Sequence, residues 1–411
     1  MRLNIVGGCY KEICDWPDKQ ELMGSAGRAV QVISQLSNGG EVTLHTKLDP
    51  KLKNELQGQL LFTECKFEIV DSEFTPTFRY QHPLAIPEIN PEKCVYGHKP
   101  PFKVRDLSKE SALIFGMIEA EAEVNADTVV YDPQNAISPK LFRETKCLAK
   151  KLALVLNHYE ASSAYTRITG QTLPDTESLA DWVLTHQKAD AVVIKCGKRG
   201  AYAKCATGAN GWVEPYQTSN VYPIGSGDTF AAAFYFYWVS QQLSVYDAAK
   251  RASGVAAFYC DTKTYTDDQS LNDYLAKLQT YKPKTQKKLN VYLAGPFFTL
   301  AQMWLINETK RCLEEAGMKV FSPYHDVGVG TAEQVVQHDV DGIHNCDVVY
   351  ALFDEHDPGT LFEIGMAIQA GKKVVILAEN STNEHLKMYE GTGCQIYKDF
   401  ATSIYAVGWL Q

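Results

Sequence analysis

The chain has 411 residues, 45% of them hydrophobic and 22% charged, with a formal net charge of -9 at pH 7. At about 100–200 residues per domain, that length and ordinary composition predict two folded domains. The acidic balance and the lack of a Lys/Arg block argue against a nucleic-acid partner, and apolar runs such as "FAAAFYFYWV" (Phe230–Val239) are too short for a membrane span.

The 11 cysteines are scattered and form no CxxC pair, the pattern of reduced thiols rather than of disulfides or a zinc site. The opening "MRLNIVGGCY" reads as a strand entering glycines, not as a secretory leader. The expectation is a cytoplasmic enzyme.

Along the first part, "LNIVGG", "VTLHT", "ALIFG", "TVVYDP", "LALVLN" and "AVVIKCG" read as buried strands. Between and after them lie helices such as "SAGRAVQVISQLSN" and "SVYDAAKRASGVAAFYC". The segment Cys65–Asp106, rich in Pro and aromatics, fits neither period and is expected to be a lid over a substrate. The polar, Lys-rich "LQTYKPKTQKKLN" (Leu278–Asn290) reads as a linker, which divides the chain into 1–280, a linker at 281–289, and 290–411.

After the linker, strands and helices alternate. "LNVYLAG", "KVFSP", "DVVYALFD" and "KVVILAE" are strands; "LAQMWLINETKRCLEEAG", "TAEQVVQHDVDGIHNC" and "GTLFEIGMAIQAG" are helices. Such alternation predicts an α/β domain with a parallel sheet, whose ligands bind at the carboxyl ends of the strands. The loops after Ala294, Pro323 and Asp354 should therefore share a cleft.

In "IGSGDTFAAAF" two glycines precede a helix, so consecutive amides and the positive helix end can converge on an anion. Asp228, at the start of that helix, is either a general base or simply its cap. Upstream stand "GSAGRAVQVISQLSNGG" (Gly24–Gly40), "YDPQ" (Tyr131–Gln134), "NHYE" (Asn157–Glu160) and "IKCGKRGAY" (Ile194–Tyr202). In this order the motifs resemble the PfkB family of sugar and nucleoside kinases.

That resemblance implies a ribokinase-like α/β/α sandwich with a small lid, with ATP and Mg2+ as cofactors. It implies an anion hole at Gly225, Ser226 and Gly227 with Asp228 as base, and ATP contacts at Lys195, Gly197 and Gly200. It further implies acceptor contacts at Asp15, Gly24, Gly27 and Arg28, and an indirect magnesium role for Asn157 and Glu160. Three positions depart from the family pattern: Arg28 stands where Asn is usual, Ile224 where Thr precedes the turn, and Lys195 where Thr is common. Arg28 either meets an acidic or phosphorylated substrate or faces solvent or a helix end.

In "HDPGTLFEIG" (His356–Gly365), Glu363 lies on a short helix after a strand, with Asp357 in the loop and Asp339 on the preceding helix. Spacing alone does not bring the three together. With "VYLAGPFF" (Val291–Phe298) and "HDVDGIHNCDVV" (His338–Val349), the segment 289–395 resembles the nucleoside 2-deoxyribosyltransferases and their relatives that hydrolyse nucleoside 5'-monophosphates. The fold implied is a flavodoxin- or Rossmann-like parallel-sheet domain.

By this resemblance Glu363 is the nucleophile, Tyr292 orients it, Asp357 holds sugar hydroxyls and Asp339 protonates the leaving base. Gly295, Pro296, Phe297 and Gly359 would line the cleft, and Asn380 and Ser381 would meet the 5' end from a neighbouring subunit. The expected ligands are nucleosides or nucleotides, and the expected assembly is a homo-oligomer, dimer or higher. Three readings stay open: phosphorylation of a nucleoside followed by cleavage of the nucleotide; cleavage first, with phosphorylation of the released pentose; or a silent kinase-like binding module joined to a glycohydrolase of the nucleoside or NAD type.

Overall fold

Runs such as Leu152–Leu156 and Ala191–Ile194 are buried on both faces, and they form the centre of a nine-stranded sheet. The structure is a computed structural model that describes residues 2–134, 139–173, 175–282, 287–328 and 331–410. The chain folds into two compact units, one of residues 1–218 and 222–282, the other of 219–221 and 283–411. The division falls within the expected linker, of which 283–286 lie outside the described residues.

In the first unit the sheet runs Gly211–Val213, Ala201–Cys205, Ala191–Lys195, Leu148–Asn157, Asn125–Asp132, Leu107–Phe115, Leu3–Val6, Val42–Leu48, Cys65–Asp71. All neighbours from Ala191–Lys195 to Cys65–Asp71 are parallel, and the last two strands at the other edge are antiparallel. One apolar core packs helices Gly24–Leu36, Ser226–Tyr235 and Val245–Thr262 on one face. A second core packs His158–Thr169 and Thr176–Gln187 on the other, which completes the α/β/α sandwich. Ala231, Ala232 and Ala233 are fully buried, and their small side chains let the helix of the Gly-Ser-Gly turn pack closely against its neighbours.

The lid is a separate four-stranded sheet in the order Lys19–Leu22, Lys11–Cys14, Thr77–Tyr80, Glu88–Asn90. The expected excursion at Cys65–Asp106 is therefore only half of it. Cys65–Asp71 belongs to the edge of the large sheet, and the lid's other half comes from Lys11–Leu22. Those two strands are four residues each and carry mostly polar residues, so no apolar run marks them.

The second unit has a five-stranded parallel sheet in the order Lys319–Phe321, Asn290–Ala294, Val348–Leu352, Lys373–Leu377, Gln395–Tyr397. Helices Leu300–Glu315, Ala332–Asn345 and Pro358–Gln369 match the sequence pattern. Thr299 and Gln302 form a capping box on the first, and Asp357 caps the last. Beyond the pattern, the polar stretch after Ala378 contains a helix, Asn383–Gly391, and the chain ends in a further strand and the helix Phe400–Gly408. Asn383–Gly391 buries only Leu386, so its apolar signal is a single residue. Among the described residues no helix is long and apolar enough to cross a membrane.

Candidate active sites

Gly225 adopts φ 82°, a left-handed conformation open to glycine, and the helix Ser226–Tyr235 starts directly after it. The Ser226 amide and hydroxyl both donate to the Pro223 carbonyl, at 3.0 and 2.8 Å. Thr229 bonds back to the Gly225 carbonyl at 3.0 Å. Among the described residues, the amides of Gly227 and Asp228 find no such acceptor, so they are the donors this helix end offers an anion. Ile224 sits in a small apolar cluster with Cys14, Tyr222 and Tyr259, and its carbonyl accepts the Tyr259 hydroxyl at 2.9 Å.

Arg28 does not face solvent: it has no exposed surface. Its Nη1 donates to Asp228 Oδ2 at 2.6 Å, and its Nη2 donates to Glu12 Oε2 and Glu21 Oε1, each at 2.5 Å. A Cβ at Gly225 would stand 2.3 Å from the Arg28 guanidinium carbon, so the glycine is also what makes room for the arginine. Burial works against the Arg28 charge, but the three carboxylates outweigh it and hold the guanidinium protonated. Burial pushes Glu12 up to about 7 despite Arg28, whereas Arg28 and Lys19 overcome burial at Glu21 and lower it. The other oxygen of Asp228 accepts from Gln134, which in turn accepts from Ser25, and the Tyr10 hydroxyl meets Ser25 at 2.7 Å.

Lys195, on the strand Ala191–Lys195, donates to Asp132 Oδ2 at 2.5 Å. A Cβ at Gly227 would lie 3.4 Å from its Nζ, so the ammonium stands beside the phosphate turn. Asp132 is fully buried; among the described residues its Oδ1 makes no hydrogen bond of normal geometry, the Gln134 amide only lying nearby, and burial lifts it to about 6 against the pull of Lys195. Asn157 and Glu160 cap the helix His158–Thr169 reciprocally, at 2.7 and 2.8 Å. Burial and then Asp132 raise Glu160 to about 8. Gly197 (φ 53°) and Gly200 (φ 86°) make the tight turn that follows Lys195.

A cavity of about 620 Å³ has Gly225, Asp228, Gln134, Asn157 and Glu160 in its wall. Gly24 is not in the cavity wall but packs behind two residues that are, where a Cβ would meet the Gly8 carbonyl at 2.6 Å and the Tyr10 amide at 2.7 Å, while Gly27 packs against Met23. Asp15 lies elsewhere, on the lid, in an ion pair of 3.0 Å with the exposed Arg79. Glu12, three residues earlier, is the lid acid that reaches Arg28 and the cavity. Reading the sequence missed it because only the strand alternation of "KEIC" separates an inward Glu12 from an outward Asp15.

In the second unit, Tyr292 donates its hydroxyl to Glu363 Oε1 at 2.6 Å. Burial raises Glu363 to about 7; the Tyr292 bond lowers it, and Asp339 and Asp357 raise it further. Asp339 is itself raised by burial, and its Oδ1 is buried without a partner. Asp357 Oδ2 accepts from the Thr360 amide and hydroxyl at 2.8 and 3.0 Å, and Gly359 keeps that approach open. The structure thus gathers Tyr292, Glu363, Asp339 and Asp357 into one electrostatic cluster. Gly342 allows it: a Cβ there would stand 2.7 Å from Phe321 and 3.0 Å from the Tyr292 ring.

Gly295 packs tightly against Ile306 and Leu352, and in the loop after Pro296 Phe297 stacks with Phe298 and meets the ring of Tyr324 at a tilt. Ser381 gives its hydroxyl to Asp354 at 2.9 Å within its own chain. Asp354 also takes the amides of Glu379, Asn380 and Ser381, so it orders the whole turn and leaves the exposed Asn380 side chain pointing outward.

The comparisons with known proteins fall on the same two units. Residues 108–271 match the family model of the pfkB family carbohydrate kinases, and residues 291–397 match that of the nucleoside 2-deoxyribosyltransferases. The kinase match begins after Gly24–Arg28, the segment that departs from the family pattern. No curated protein matches the chain. Solved structures with a similar course include ribokinase from Thermotoga maritima (13% identity, 67% of this chain, 99% of that one, TM-score 0.49). Nucleoside kinase from Methanocaldococcus jannaschii is 14% identical, covering 67% and 98% with TM-score 0.48. Phosphofructokinase-2 from Escherichia coli is 12% identical, covering 67% and 100% with TM-score 0.46.

Removing Arg28 would leave buried carboxylates uncompensated. Arg28→Ala is expected to cost about 3–5 kcal/mol of folding stability. The loss should be larger at pH 8 than at pH 6, because below pH 7 the stranded acids can take up protons instead. Urea denaturation at the two pH values measures both the loss and its sign.

Proposed function

We propose that the chain is a bifunctional nucleoside enzyme. Its first unit transfers a phosphoryl group from ATP to the 5'-hydroxyl of a nucleoside, and its second unit cleaves the N-glycosidic bond of the nucleotide formed. The observation that carries the second step is the Tyr292–Glu363 hydrogen bond of 2.6 Å within a cluster of three carboxyl groups. For the first step, support comes from the free amides of Gly227 and Asp228 beside the Lys195 ammonium.

In the kinase unit the acceptor hydroxyl gives its proton to Asp228, its oxygen attacks the γ-phosphorus, and ADP leaves with the bond's electron pair. The Gly227 and Asp228 amides, the helix end and Lys195 meet the charge that develops on the phosphoryl oxygens. The partnerless Asp132 Oδ1 and the acidic Glu160 beside it fit a cation-bearing phosphate chain; magnesium, when bound, would neutralise part of that charge.

In the second unit Glu363 attacks C1' and the base departs with the glycosidic electron pair, taking a proton from Asp339, whose carboxyl burial keeps protonated more readily. Water, giving a proton back to the Asp339 carboxylate, then attacks the glycosyl-enzyme, which releases a pentose 5-phosphate and frees Glu363; a second base in place of water gives transfer. Phosphorylation first supplies the second site with its substrate at the high effective concentration of a tethered pair.

One observation favours a second reading, in which the kinase-like unit only binds ligands: Arg28 holds Asp228, leaving the base without a free oxygen once Gln134 is counted. The full chain, incubated with ATP, magnesium and a nucleoside panel and followed by mass spectrometry, separates the readings. ADP and free base should both appear; base released equally well without ATP would overturn the order. Asp228→Asn should abolish ATP turnover, and if it leaves all catalysis unchanged the binding-module reading is correct. Glu363→Ala should stop base release in every case.

Base release from a nucleotide supplied directly should rise with pH as Glu363 ionises around 7 and fall again once Asp339 loses the proton it gives the base, since the reaction needs ionised Glu363 and protonated Asp339 together. Tyr292→Phe removes a bond that favours the carboxylate, so the midpoint of the rise should move upward and the rate at pH 7 should fall about tenfold. A pH–rate profile of the two proteins reads this directly.

A further inference from the structure

Two acids in the wall of the acceptor cavity take no part in the chemistry above, Glu119 and Glu121. Glu121 is paired with Lys140. Glu119 is 5% exposed, and neither carboxylate oxygen makes a hydrogen bond of normal geometry; the amides of Ile118 and of Glu119 itself only lie nearby. It lines the same 620 Å³ cavity as Asp228. Gly8 preserves its room, because a Cβ there would stand 2.9 Å from Oε1. Leaving a buried carboxylate without donors is costly, and burial accordingly raises Glu119 to about 7. A group kept under those terms holds nothing together in the fold. It is arranged for a ligand that brings its own donors.

The rest of the cavity narrows the ligand. At the Asp228 end, Gln134, Ser25 and Tyr10 form a hydrogen-bonded chain suited to hydroxyl groups. Tyr10, Phe78 and Tyr80 also line it, with the Tyr10 and Phe78 rings 4.6 Å apart, and such faces suit a planar ring. Lys99 lies in the same wall and interacts electrostatically with Glu119. An ionised carboxylate only accepts, and its two oxygens match two parallel N–H groups; an ammonium beside it donates to an adjoining carbonyl.

Building on the nucleoside reading above, we propose that Glu119 reads the acceptor's nucleobase, pairing its two oxygens with adjacent N–H donors while Lys99 meets the neighbouring carbonyl. That acceptor–donor–donor edge is the one guanine presents.

Binding to the full chain, measured by calorimetry without ATP, tests it. The wild-type protein should bind guanosine and 2'-deoxyguanosine roughly ten- to a hundredfold more tightly than inosine, which lacks the second donor. In Glu119→Gln the amide offers one acceptor and one donor, which fits the N–H and carbonyl of xanthine. Its preference should therefore switch from guanosine to xanthosine, an outcome that a misfolded variant cannot give. Equal binding of guanosine and inosine to the wild type, no binding of any nucleoside, or a uniform loss across uridine, inosine and guanosine in Glu119→Gln would each overturn the proposal. A guanosine preference without ADP formation in the kinase assay would leave this inference standing and remove the kinase; ADP formation with no base preference would do the reverse.

Discussion

Arg28 is the fixed point of the first unit. Its guanidinium has no contact with water and is held by carboxylates from three places: Glu12 and Glu21 on the lid strands, and Asp228 on the helix of the phosphate turn. A charge this deeply buried persists only if paired, and the geometry spends both Nη groups on doing so. The consequences spread outward. Gly225 has to lack a side chain, the lid is tied electrostatically to the turn beneath it, and the Asp228 carboxylate is fixed in orientation by Arg28 and Gln134. Lid position and base orientation are thus one arrangement in this unit.

The second site is built on the opposite electrostatic plan. Burial raises Glu363; Asp339 and Asp357 raise it further, and the group that steadies it is a phenol, not a cation. A neutral donor orients the carboxylate without stabilising its charge as an ion pair would, so burial prevails and lifts Glu363 to about 7. A carboxylate less satisfied as an anion is the better nucleophile toward an oxocarbenium-like carbon. Where the first unit matches buried carboxylates with Arg28 and Lys195, the second leaves its acids in tension with one another.

What the sequence made legible follows from range. Strands buried on both faces, the glycine-flanked turn at Gly225–Asp228 and the capped helix Pro358–Gln369 are local features, and local composition announces them. The lid strands Lys11–Cys14 and Lys19–Leu22 were hidden because they are short and mostly polar, and the first of them is joined to the rest of the lid by Thr77–Tyr80, more than fifty residues away. The environment of Arg28 depends on partners up to 200 positions distant, so neither its burial nor the role of Glu12 is written near it. Ser226 looked like a third anion-hole donor because spacing cannot tell that its amide turns back to Pro223. Glu119 carried no motif at all; only a cavity wall with a partnerless carboxylate makes it visible.

The two proposed reactions also have to agree on charge. A phosphorylated nucleoside brings negative charge toward three carboxyl groups, and fully ionised acids there would repel it. Burial answers this in part, since Glu363 and Asp339 both hold their protons to higher pH than free carboxylic acids do. Protonated Asp339 is the form that can give the departing base its proton, so the shift that softens repulsion also readies the acid. For the proposed attack Glu363 would have to lose its proton, and a pKa of about 7 leaves roughly half of it ionised near neutrality. In the proposed reaction, the same desolvation that would make the site tolerant of an anionic substrate would therefore also set the protonation states the two acids need, with burial the largest cause at Glu363.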